Sequence, residues 1–277
     1  MRILIVGGSG FIGGSLAKFL KSREHQVIVS GFSREADIKV DARSINSLAE
    51  FFKTQSFDLV VNLAGSFRDN LDVNICSSMN IVRAMFISGK TARFIHVASS
   101  TEKSTPKGAH ESEYSLTKEI GTMNFQSSLE NTGFYGMTIT LHNTYGLNQP
   151  SDRFIAACLR SLLNGEEIRL KYPNRVRDFV YQPDVNLAFD RAISDLITNP
   201  DEAIKGKEIG TGIGHTLQEA ASIIAEELDG DSSLIKTFDS LSEDPHPIRI
   251  APVAPLKSYL CTTTLREGIQ RIMGARL

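Results

Sequence analysis

Tyr114 and Lys118 lie four residues apart in the segment YSLTK, within a helical pattern that runs over 113–130. A spacing of four places both side chains on one face of a helix. A tyrosine hydroxyl titrates near pH ~10 and is a poor proton donor or acceptor at neutral pH. A neighbouring ammonium favours the ionised phenol and lowers its pKa. The pair is therefore suited to passing a proton to or from a carbonyl or alcohol oxygen.

Ser99 supplies a third polar group, because Ser99 and Ser100 follow the predicted strand over 93–98. A serine at the end of a strand can donate a hydrogen bond to the same substrate oxygen. Taken alone, Ser99 is better interpreted as a helix N-cap or loop serine, and Tyr114 and Lys118 as an exposed helix pair. Taken together, their positions favour a catalytic set of Ser99, Tyr114 and Lys118.

The segment MRILIVGGSGFIGG at positions 1–14 predicts a strand, a tight turn and a helix, with glycines at 7, 10 and 13. Gly7 can take the positive φ of a sharp turn. Gly10 lacks a Cβ, so a pyrophosphate can approach the backbone, and Gly13 lets the helix pack against the strand. The first helical amides, at Phe11 and Ile12, then face the phosphates with the positive end of the helix dipole. This context favours a dinucleotide site over a glycine-rich turn without a ligand.

Short, nearly continuous apolar runs alternate with helical patterns through the first half of the chain. Such runs are typical of parallel strands covered on both faces. The alternation predicts an α/β fold, a doubly wound parallel sheet of the Rossmann type with ligands at the carboxyl ends of the strands. The predicted strands are Ile3–Val6, Gln26–Ser30, Asp58–Leu63, Arg93–Ala98 and Gly136–Leu141, and helices are predicted after Ser44, over 75–86 and over 113–130.

The pattern becomes irregular and richer in proline after about Tyr145. We predict a dinucleotide-binding Rossmann domain over 1–146 and, over 147–277, a smaller α+β lobe that binds substrate. Segments near 177–200 are expected to return to the first domain. The elements predicted in the lobe are a helix over 152–164 and strands over 168–172 and 177–181.

Composition narrows the class of protein. The 277 residues are 41% hydrophobic and 22% charged, with a net charge of −2, which is ordinary for a globular protein. No basic run points to nucleic acid, and no apolar stretch reaches the ~18 residues of a membrane span. The three cysteines and six histidines are scattered, without the spacing of metal ligands or of a disulfide framework. We therefore expect no metal and a reducing, cytoplasmic location.

Together these motifs resemble those of the extended short-chain dehydrogenases/reductases, the NAD-dependent epimerase/dehydratase family, over nearly the whole chain. The glycine motif is similar to the family's dinucleotide turn, and Ser99, Tyr114 and Lys118 fall on its catalytic triad. The resemblance implies an oxidoreductase that acts on nucleotide-diphosphate sugars. Lys118 would then also hold the ribose of the nicotinamide cofactor, beside Tyr114.

The resemblance also assigns binding roles elsewhere in the first half of the chain. Asp41 in KVDAR resembles the aspartate that contacts the adenine, and Ala64 and Gly65 in NLAG resemble the segment that passes the cofactor ribose.

In the second half, the resemblance implies contacts with the substrate. Asn143 lies in an N-x-Y-G motif that opens the substrate lobe, and Arg177 begins an R-D-F-V motif. By this similarity Arg177 faces the diphosphate, and Arg249 either does the same or forms a surface salt bridge. A guanidinium suits the role because it stays charged and binds phosphate oxygens in pairs.

The segment after Ser99 departs from the family's pattern, since Ser100, Thr101 and Glu102 stand where a V-Y-G motif is expected to follow. Ser100 therefore stays an alternative to Ser99. Dehydratases of the family carry an Asp-Glu pair directly after the hydroxyl residue, where this chain has Ser100 and Thr101. A slip of one residue would bring Glu102 into play but would still leave no aspartate, so dehydration is disfavoured.

The end of the second predicted strand bears on the choice of cofactor. NAD-preferring folds place an acid there to bind the ribose 2′-hydroxyl, whereas this chain continues with Gly31, Phe32, Ser33 and Arg34. Gly31 removes repulsion toward a 2′-phosphate, which Ser33 and Arg34 can bind. We predict NADP(H) rather than NAD(H), the alternative being that Arg34 points to solvent.

The reaction favoured at this stage is the reduction of a 4-keto sugar by hydride from NADPH, with Tyr114 protonating the oxygen. An epimerase with tightly held NAD is the alternative enzyme, and a non-catalytic dinucleotide sensor is the alternative from another class. Relatives often dimerise through helices that here begin near Asn74 and Glu113. A homodimer is therefore one interpretation of the apolar residues Met79, Phe86, Met123 and Phe125, and ordinary core is the other.

Overall fold

A computed structural model of the chain describes residues 1–31, 36–102, 112–203, 206–237, 248–253 and 258–275. The strands are β1 (Arg2–Val6), β2 (Gln26–Ser30), β3 (Leu59–Asn62), β4 (Arg93–Ser99), β5 (Gly136–Leu141), β6 (Asn143–Tyr145), β7 (Ile168–Leu170), β8 (Val176–Arg177), β9 (Phe179–Tyr181), β10 (Lys207–Gly210), β11 (His215–Thr216), β12 (Ile235–Thr237) and β13 (Ser258–Leu260). The helices are α1 (Phe11–Ser22), α2 (Ile45–Thr54), α3 (Asp72–Ile87), α4 (Glu113–Thr132), α5 (Phe154–Leu163), α6 (Gln182–Thr198), α7 (Pro200–Ala203), α8 (Leu217–Glu227) and α9 (Leu265–Gly274).

A seven-stranded sheet with the order β13-β10-β5-β4-β3-β1-β2 confirms the predicted doubly wound α/β fold. The pairs β1–β2, β1–β3 and β3–β4 are parallel. After β1 the chain moves outward to β2 and then returns to form β3 on the other side of β1. Such a reversal opens a crevice at the carboxyl ends of β1 and β3, where open α/β sheets bind ligands.

The residues fall into two compact units. Among the described residues, the first unit takes 1–31, 36–102, 112–140, 189–203 and 206–207, and the second takes 141–188, 208–237, 248–253 and 258–275.

The first unit buries one face of its sheet against α2, α3 and α4. Phe94 on β4 packs against Phe125 on α4 with ring centroids 5.0 Å apart, and both are fully buried. Ser44 caps α2 as predicted, because its hydroxyl accepts the amide of Ser47 at 3.2 Å. Phe125 is therefore core, whereas Phe86 and Met123 are exposed on α3 and α4.

The second unit has a separate core in which α5, α8 and α9 pack around Tyr145. The Tyr145 hydroxyl donates to the carbonyl of Leu265 at 3.3 Å, and burial raises the pKa of this phenol. All three cysteines are free. Cys158 and Cys261 are buried in this unit, and Cys76 lies half-buried on α3 of the first unit.

Candidate active site

The turn after β1 requires glycine at position 7. Gly7 has a φ of +76°, and its amide donates to the carbonyl of Ser30 at 2.9 Å. A Cβ added there would lie 2.6 Å from the amide nitrogen of Ala64. The turn after β1 and the loop after β3 therefore meet backbone to backbone at the crevice of the sheet.

Gly10 and Gly13 play different roles at the start of α1. Gly10 is the exposed N-cap with extended backbone, and no side chain caps the helix there. A Cβ at Gly10 would meet only the carbonyl oxygen of Gly7, at 3.4 Å, so the space before the amides of Phe11 and Ile12 is open. This geometry fits a phosphate group.

A Cβ at Gly13 would lie 2.6 Å from both the carbonyl oxygen of Gly7 and the Cα of Gly8. The contact expected between Gly13 and the strand is thus a contact with the turn itself. Without a side chain at this position, the first turn of α1 can lie directly on the glycine loop.

The other predicted cofactor residues differ in their exposure and in their hydrogen-bond partners. Ala64 donates its amide to the Asn62 side chain at 3.1 Å, and Gly65 is exposed beside it. The carboxylate of Asp41 accepts two bonds from the Arg43 guanidinium at 3.0 Å, which holds the pKa of this carboxyl below its usual value. Ser33 and Arg34 lie outside the described residues.

The carboxylate of Asp37 lies against β2. It accepts the backbone amide of Val29 at 2.8 Å. Its position is therefore fixed by β2 itself.

Lys118 is buried beneath the carboxyl end of β4. Its ammonium donates to the carbonyl of Val97 at 2.5 Å, and only 6% of the residue is exposed. Burial lowers the pKa of this ammonium, while the negative charge of Glu102 acts in the opposite direction. The ammonium of Lys118 is thus held at Val97, which lies two residues before Ser99 on β4.

Tyr114 lies in the first turn of α4, which Ser112 caps by accepting the amide of Ser115 at 3.2 Å. The ring of Tyr114 stacks on that of Phe67, with centroids 4.2 Å apart and planes inclined by 23°. Phe67 itself is half exposed and follows the crevice loop after β3. Sequence reasoning missed this partner, because an apolar residue in a loop carries no periodic signal.

The loop after β4 distinguishes the two serines. Ser99 is partly exposed and its hydroxyl is 2.9 Å from that of Thr101, whereas Ser100 is only 5% exposed. Ser99 is therefore the more accessible of the two hydroxyl groups.

Glu102 is a buried acid that the sequence placed only in a polar loop. One carboxylate oxygen accepts the amide of Ser99 at 2.7 Å and the other accepts the hydroxyl of Thr122 at 2.7 Å. Burial raises the pKa of this carboxyl, opposed by the positive charge of Lys118. A buried histidine, His96, contacts the same Thr122 hydroxyl at 3.0 Å, and burial keeps its pKa well below 6.5.

The predicted substrate residues lie in the second unit, and two of them are adjacent. Arg177 and Arg249 form a parallel β-bridge and are each 5% exposed. Asn143 is partly exposed, and its amide donates to the carbonyl of Asp178 at 3.0 Å. The backbone therefore places two buried arginines next to each other, and guanidinium groups are suited to binding a polyanion.

Asp178, fully buried next to Arg177, holds three distant segments together. Its carboxylate accepts the amide and hydroxyl of Thr211, the amide of Gly212 at 2.9 Å and the amide of Ala251 at 3.2 Å. The motif R-D-F-V thus contains a structural acid as well as the arginine singled out from the sequence.

Comparison with known proteins identifies the family. Residues 3–205 match the model of the NAD dependent epimerase/dehydratase family. The chain belongs to this family. CDP-abequose synthase from Yersinia pseudotuberculosis is 25% identical over 254 residues, covering 84% of this chain and 87% of that protein.

Solved structures of known proteins share this fold. The dTDP-glucose 4,6-dehydratase of Bacillus anthracis, solved in complex with NAD, has a TM-score of 0.82 at 18% identity and covers 99% of this chain and 96% of its own. The UDP-glucose 4-epimerase of Thermus thermophilus, also with NAD, has a TM-score of 0.73 at 21% identity, with coverages of 99% and 98%.

Two features are absent from the described residues. Within them, no helix has the length and apolarity needed to cross a membrane. The same part of the chain contains no group of three or more histidine, cysteine or acidic side chains placed to hold a metal ion.

Proposed function

We propose that the protein is an NADPH-dependent reductase of a 4-keto sugar carried on a nucleoside diphosphate. Membership of the epimerase/dehydratase family supports this proposal. The similar structures were solved with NAD, and several of the similar proteins are named for dTDP-, UDP- or CDP-linked sugars. A nicotinamide dinucleotide and a nucleotide sugar are therefore the ligands to test first.

The first unit offers the residues to hold the dinucleotide. The open space at Gly10 and the uncapped amides of Phe11 and Ile12 suit the pyrophosphate, and the loop at Ala64 and Gly65 suits a ribose. When bound as NADPH, the cofactor supplies a hydride to the carbonyl carbon of the substrate.

The protein's own groups manage the carbonyl oxygen. In this proposal Ser99 donates a hydrogen bond to that oxygen and Tyr114 gives it the proton that completes the alcohol. The buried ammonium of Lys118 stabilises the phenolate that Tyr114 leaves behind. The substrate carbonyl is thereby reduced to a hydroxyl, with the proton replaced on Tyr114 from solvent.

The diphosphate of the substrate is assigned to the second unit. Arg177 and Arg249 are adjacent cationic residues, and Asn143 on β6 donates its amide to the carbonyl of Asp178, the residue after Arg177. A pair of guanidinium groups can bind several phosphate oxygens at once. Replacing either arginine by lysine should raise the KM for the nucleotide sugar more than it lowers kcat.

The surroundings of Glu102 are the observation that most favours reduction over dehydration. Within residues 99–102 it is the only carboxylate, and it is buried and bonded to the Ser99 amide and to Thr122. Dehydration requires an acid and a base beside the hydroxyl residue, and Ser100 and Thr101 supply neither. Reduction of a carbonyl by NADPH needs only the serine, tyrosine and lysine from the protein.

Replacing Tyr114 by phenylalanine tests the proposed proton donor. Tyr114→Phe should lower kcat by about 10²–10⁴-fold, the usual contribution of a general acid, and should leave dinucleotide affinity nearly unchanged. Turnover is measured as NADPH oxidation with a 4-keto nucleotide sugar, and affinity by calorimetry. Full activity in this variant would remove Tyr114 from the role.

Cofactor consumption distinguishes reduction from epimerisation. A reductase oxidises one NADPH for each sugar converted, whereas an epimerase returns the hydride and consumes none. The absence of an acid at Ser30 and Gly31, where β2 ends, favours NADPH. Tighter binding of NADH by about tenfold, or ~1.4 kcal/mol, would overturn the NADPH preference.

We also propose a homodimer that works in the cytoplasm, where the three free cysteines stay reduced. The exposed Phe86, Ile87 and Met123 on α3 and α4 are the apolar residues offered for the contact. Light scattering should give twice the monomer mass, and Met123→Glu should reduce it to that of a monomer. A monomeric wild-type protein would rule out the dimer.

A further inference from the structure

A chain of buried hydrogen bonds connects the loop after β3 to the loop after β4. The amide group of Asn62 donates to Ser78 at 2.7 Å, and Ser78 contacts Nδ1 of His96 at 2.7 Å. Nε2 of His96 contacts Thr122 at 3.0 Å, and Thr122 donates to Glu102 at 2.7 Å. Asn62, Ser78, His96, Thr122 and Glu102 form what we call the relay.

With Glu102 ionised, one assignment of donors and acceptors satisfies every hydrogen bond of the relay. The Asn62 side chain is oriented by the Ala64 amide, which donates to its carbonyl oxygen, so its NH2 group must face Ser78. Each hydroxyl has one proton, and an ionised Glu102 can only accept. Thr122 then donates to Glu102 and accepts from Nε2–H of His96, while Ser78 donates to Nδ1. The ends of the relay therefore fix the neutral Nε2–H form of His96.

Both ends of the relay hold a loop at the crevice. At one end Asn62 binds the amide of Ala64 at 3.1 Å, and at the other Glu102 binds the amide of Ser99 at 2.7 Å. Buried polar networks are costly unless fully satisfied and well placed. A network of this kind that ends on the two loops of the candidate site indicates a role beyond filling space.

Among the described residues, the charges that act on Glu102 come from α4, and the buried His96 lies nearby on β4. Lys118 attracts the carboxylate, Glu119 repels it, and His96 is kept neutral by burial and by Lys118. Lys118 is thus a cation that stabilises the carboxylate of Glu102, and Glu102 acts in turn on Lys118.

We propose that Glu102 is a positioning residue of the active site, which fixes Ser99 through its backbone amide and supplies the counter-charge for the buried Lys118 ammonium, bonded two residues earlier on β4. The inference rests on the proposed function only for the roles of Ser99 and Lys118. Its geometry, the two bonds of the carboxylate and the buried ammonium, stands independently of any substrate. Glu102 therefore compensates in part for the burial of the cation on which Tyr114 depends.

The decisive variant is Glu102→Gln, which keeps the size of the side chain and removes its charge. Without the carboxylate the pKa of Lys118 should fall further, because the negative charge that opposes the effect of burial is removed. The measurement is the pH titration of the Lys118 Cε resonance in ¹³C-lysine-labelled protein, assigned with Lys118→Met. Because it uses the enzyme without substrate, it decides the inference even if no reductase activity is found. An unchanged Lys118 titration would overturn the proposal.

The pH profile of kcat gives a second readout. Loss of the Lys118 ammonium at lower pH should move the alkaline limb of the profile downward in Glu102→Gln, beyond any general loss of activity. Glu130 is an exposed acid on α4, the helix that carries Lys118, so Glu130→Gln is the matched control. This variant should leave both the Lys118 titration and the pH profile unchanged. A uniform loss of activity without movement of the limb would contradict the role assigned to Glu102.

Glu102→Asp separates charge from position and remains informative if Glu102→Gln does not fold. It keeps the charge but withdraws it by one methylene group. The Lys118 pKa should stay closer to its wild-type value than in Glu102→Gln, while kcat falls because the Ser99 amide loses its close partner. Wild-type kcat in this variant would show that the Ser99 contact does not position the serine.

The form of His96 tests the direction of the relay. ¹⁵N chemical shifts of the ring should identify the Nε2–H form in wild-type protein at neutral pH. Finding the Nδ1–H form would reverse every bond between Ser78 and Glu102 and would contradict an ionised Glu102.

Discussion

Gly10 and Gly13 are three residues apart, yet a methyl group would meet very different surroundings at the two positions. At Gly13 it would lie 2.6 Å from two backbone atoms, whereas at Gly10 its one neighbour is at 3.4 Å. Gly13→Ala should therefore lower the free energy of unfolding by about 1–3 kcal/mol, the usual effect of overpacking. Gly10→Ala should change it by less than about 0.5 kcal/mol. Urea unfolding measures both.

Gly10→Ala should instead weaken binding of the dinucleotide, because its methyl group occupies the space left open for phosphate. Calorimetry should find the loss in Gly10→Ala while its stability is retained. Wild-type affinity for NADPH and NADH in Gly10→Ala would mean that phosphate does not approach this glycine.

His96 should make stability depend on pH. Burial holds its folded pKa well below the ordinary 6.5, so the unfolded chain takes up a proton first as the pH falls. The free energy of unfolding should then decrease below about pH 6.5, by at most ~1.4 kcal/mol per pH unit. Urea unfolding at several pH values should show a smaller decrease in His96→Gln. An identical pH dependence in both proteins would contradict a neutral, buried His96.

The residues that do chemistry differ in how far the sequence could predict them. Tyr114 and Lys118 were found because a fixed spacing on a helix carries chemical meaning. Glu102 was seen only as a possible slip in alignment, since glutamates are rarely buried and a polar loop gives no signal of burial. His96 sits in an apolar strand where its partners come from α3 and α4, which only the packed structure brings together.

At the scale of single elements, α8 begins with a capping box. The hydroxyl of Thr216 accepts the amide of Glu219 at 3.0 Å, and the Glu219 carboxylate accepts the amide of Thr216 at 2.8 Å. Thr216→Ala should lower the free energy of unfolding by about 1 kcal/mol, whereas Thr216→Ser keeps the cap. Urea unfolding of the two variants gives the comparison. Equal stabilities would mean that the cap does not contribute.

The bounds of the strands agree with those predicted from the sequence where the apolar runs are continuous. Strands β2 and β5 have the predicted bounds, because buried parallel strands are bordered by polar or glycine residues. The strand predicted over 177–181 is instead divided at Asp178, whose side chain binds two other segments of the chain. The helix predicted from Asp152 begins at Phe154, since Arg153 keeps extended backbone.

At the scale of the whole second unit, Asp178 joins residues more than thirty and more than seventy positions away in the chain. Asp178→Asn would place an NH2 group against backbone amides that need an acceptor. The loss should be about 3 kcal/mol, near the upper range for bonds to a charged group. Asp152→Asn, on the surface of the same unit, is the control and should change stability by less than about 0.5 kcal/mol. Urea unfolding of both variants measures the difference.

The overall architecture was predictable because alternating strands and helices allow few topologies. The family resemblance was predictable from motifs at loop positions, and the comparison confirmed it. The second unit was harder to derive, because its strands are two or three residues long and pair through contacts distant in sequence. Such pairings follow from packing and leave no periodic pattern in the chain.

The buried free thiols can report how often the second unit opens locally. Burial raises the pKa of Cys158 and of Cys261 to about 12, so almost none of either thiol is in the reactive thiolate form at neutral pH. An alkylating reagent will therefore modify them only when the second unit opens, whereas the half-buried Cys76 on α3 of the first unit is accessible without such opening. Pulsed alkylation followed by mass spectrometry would thus time the opening of the second unit, with Cys76 as an internal reference and no engineered label.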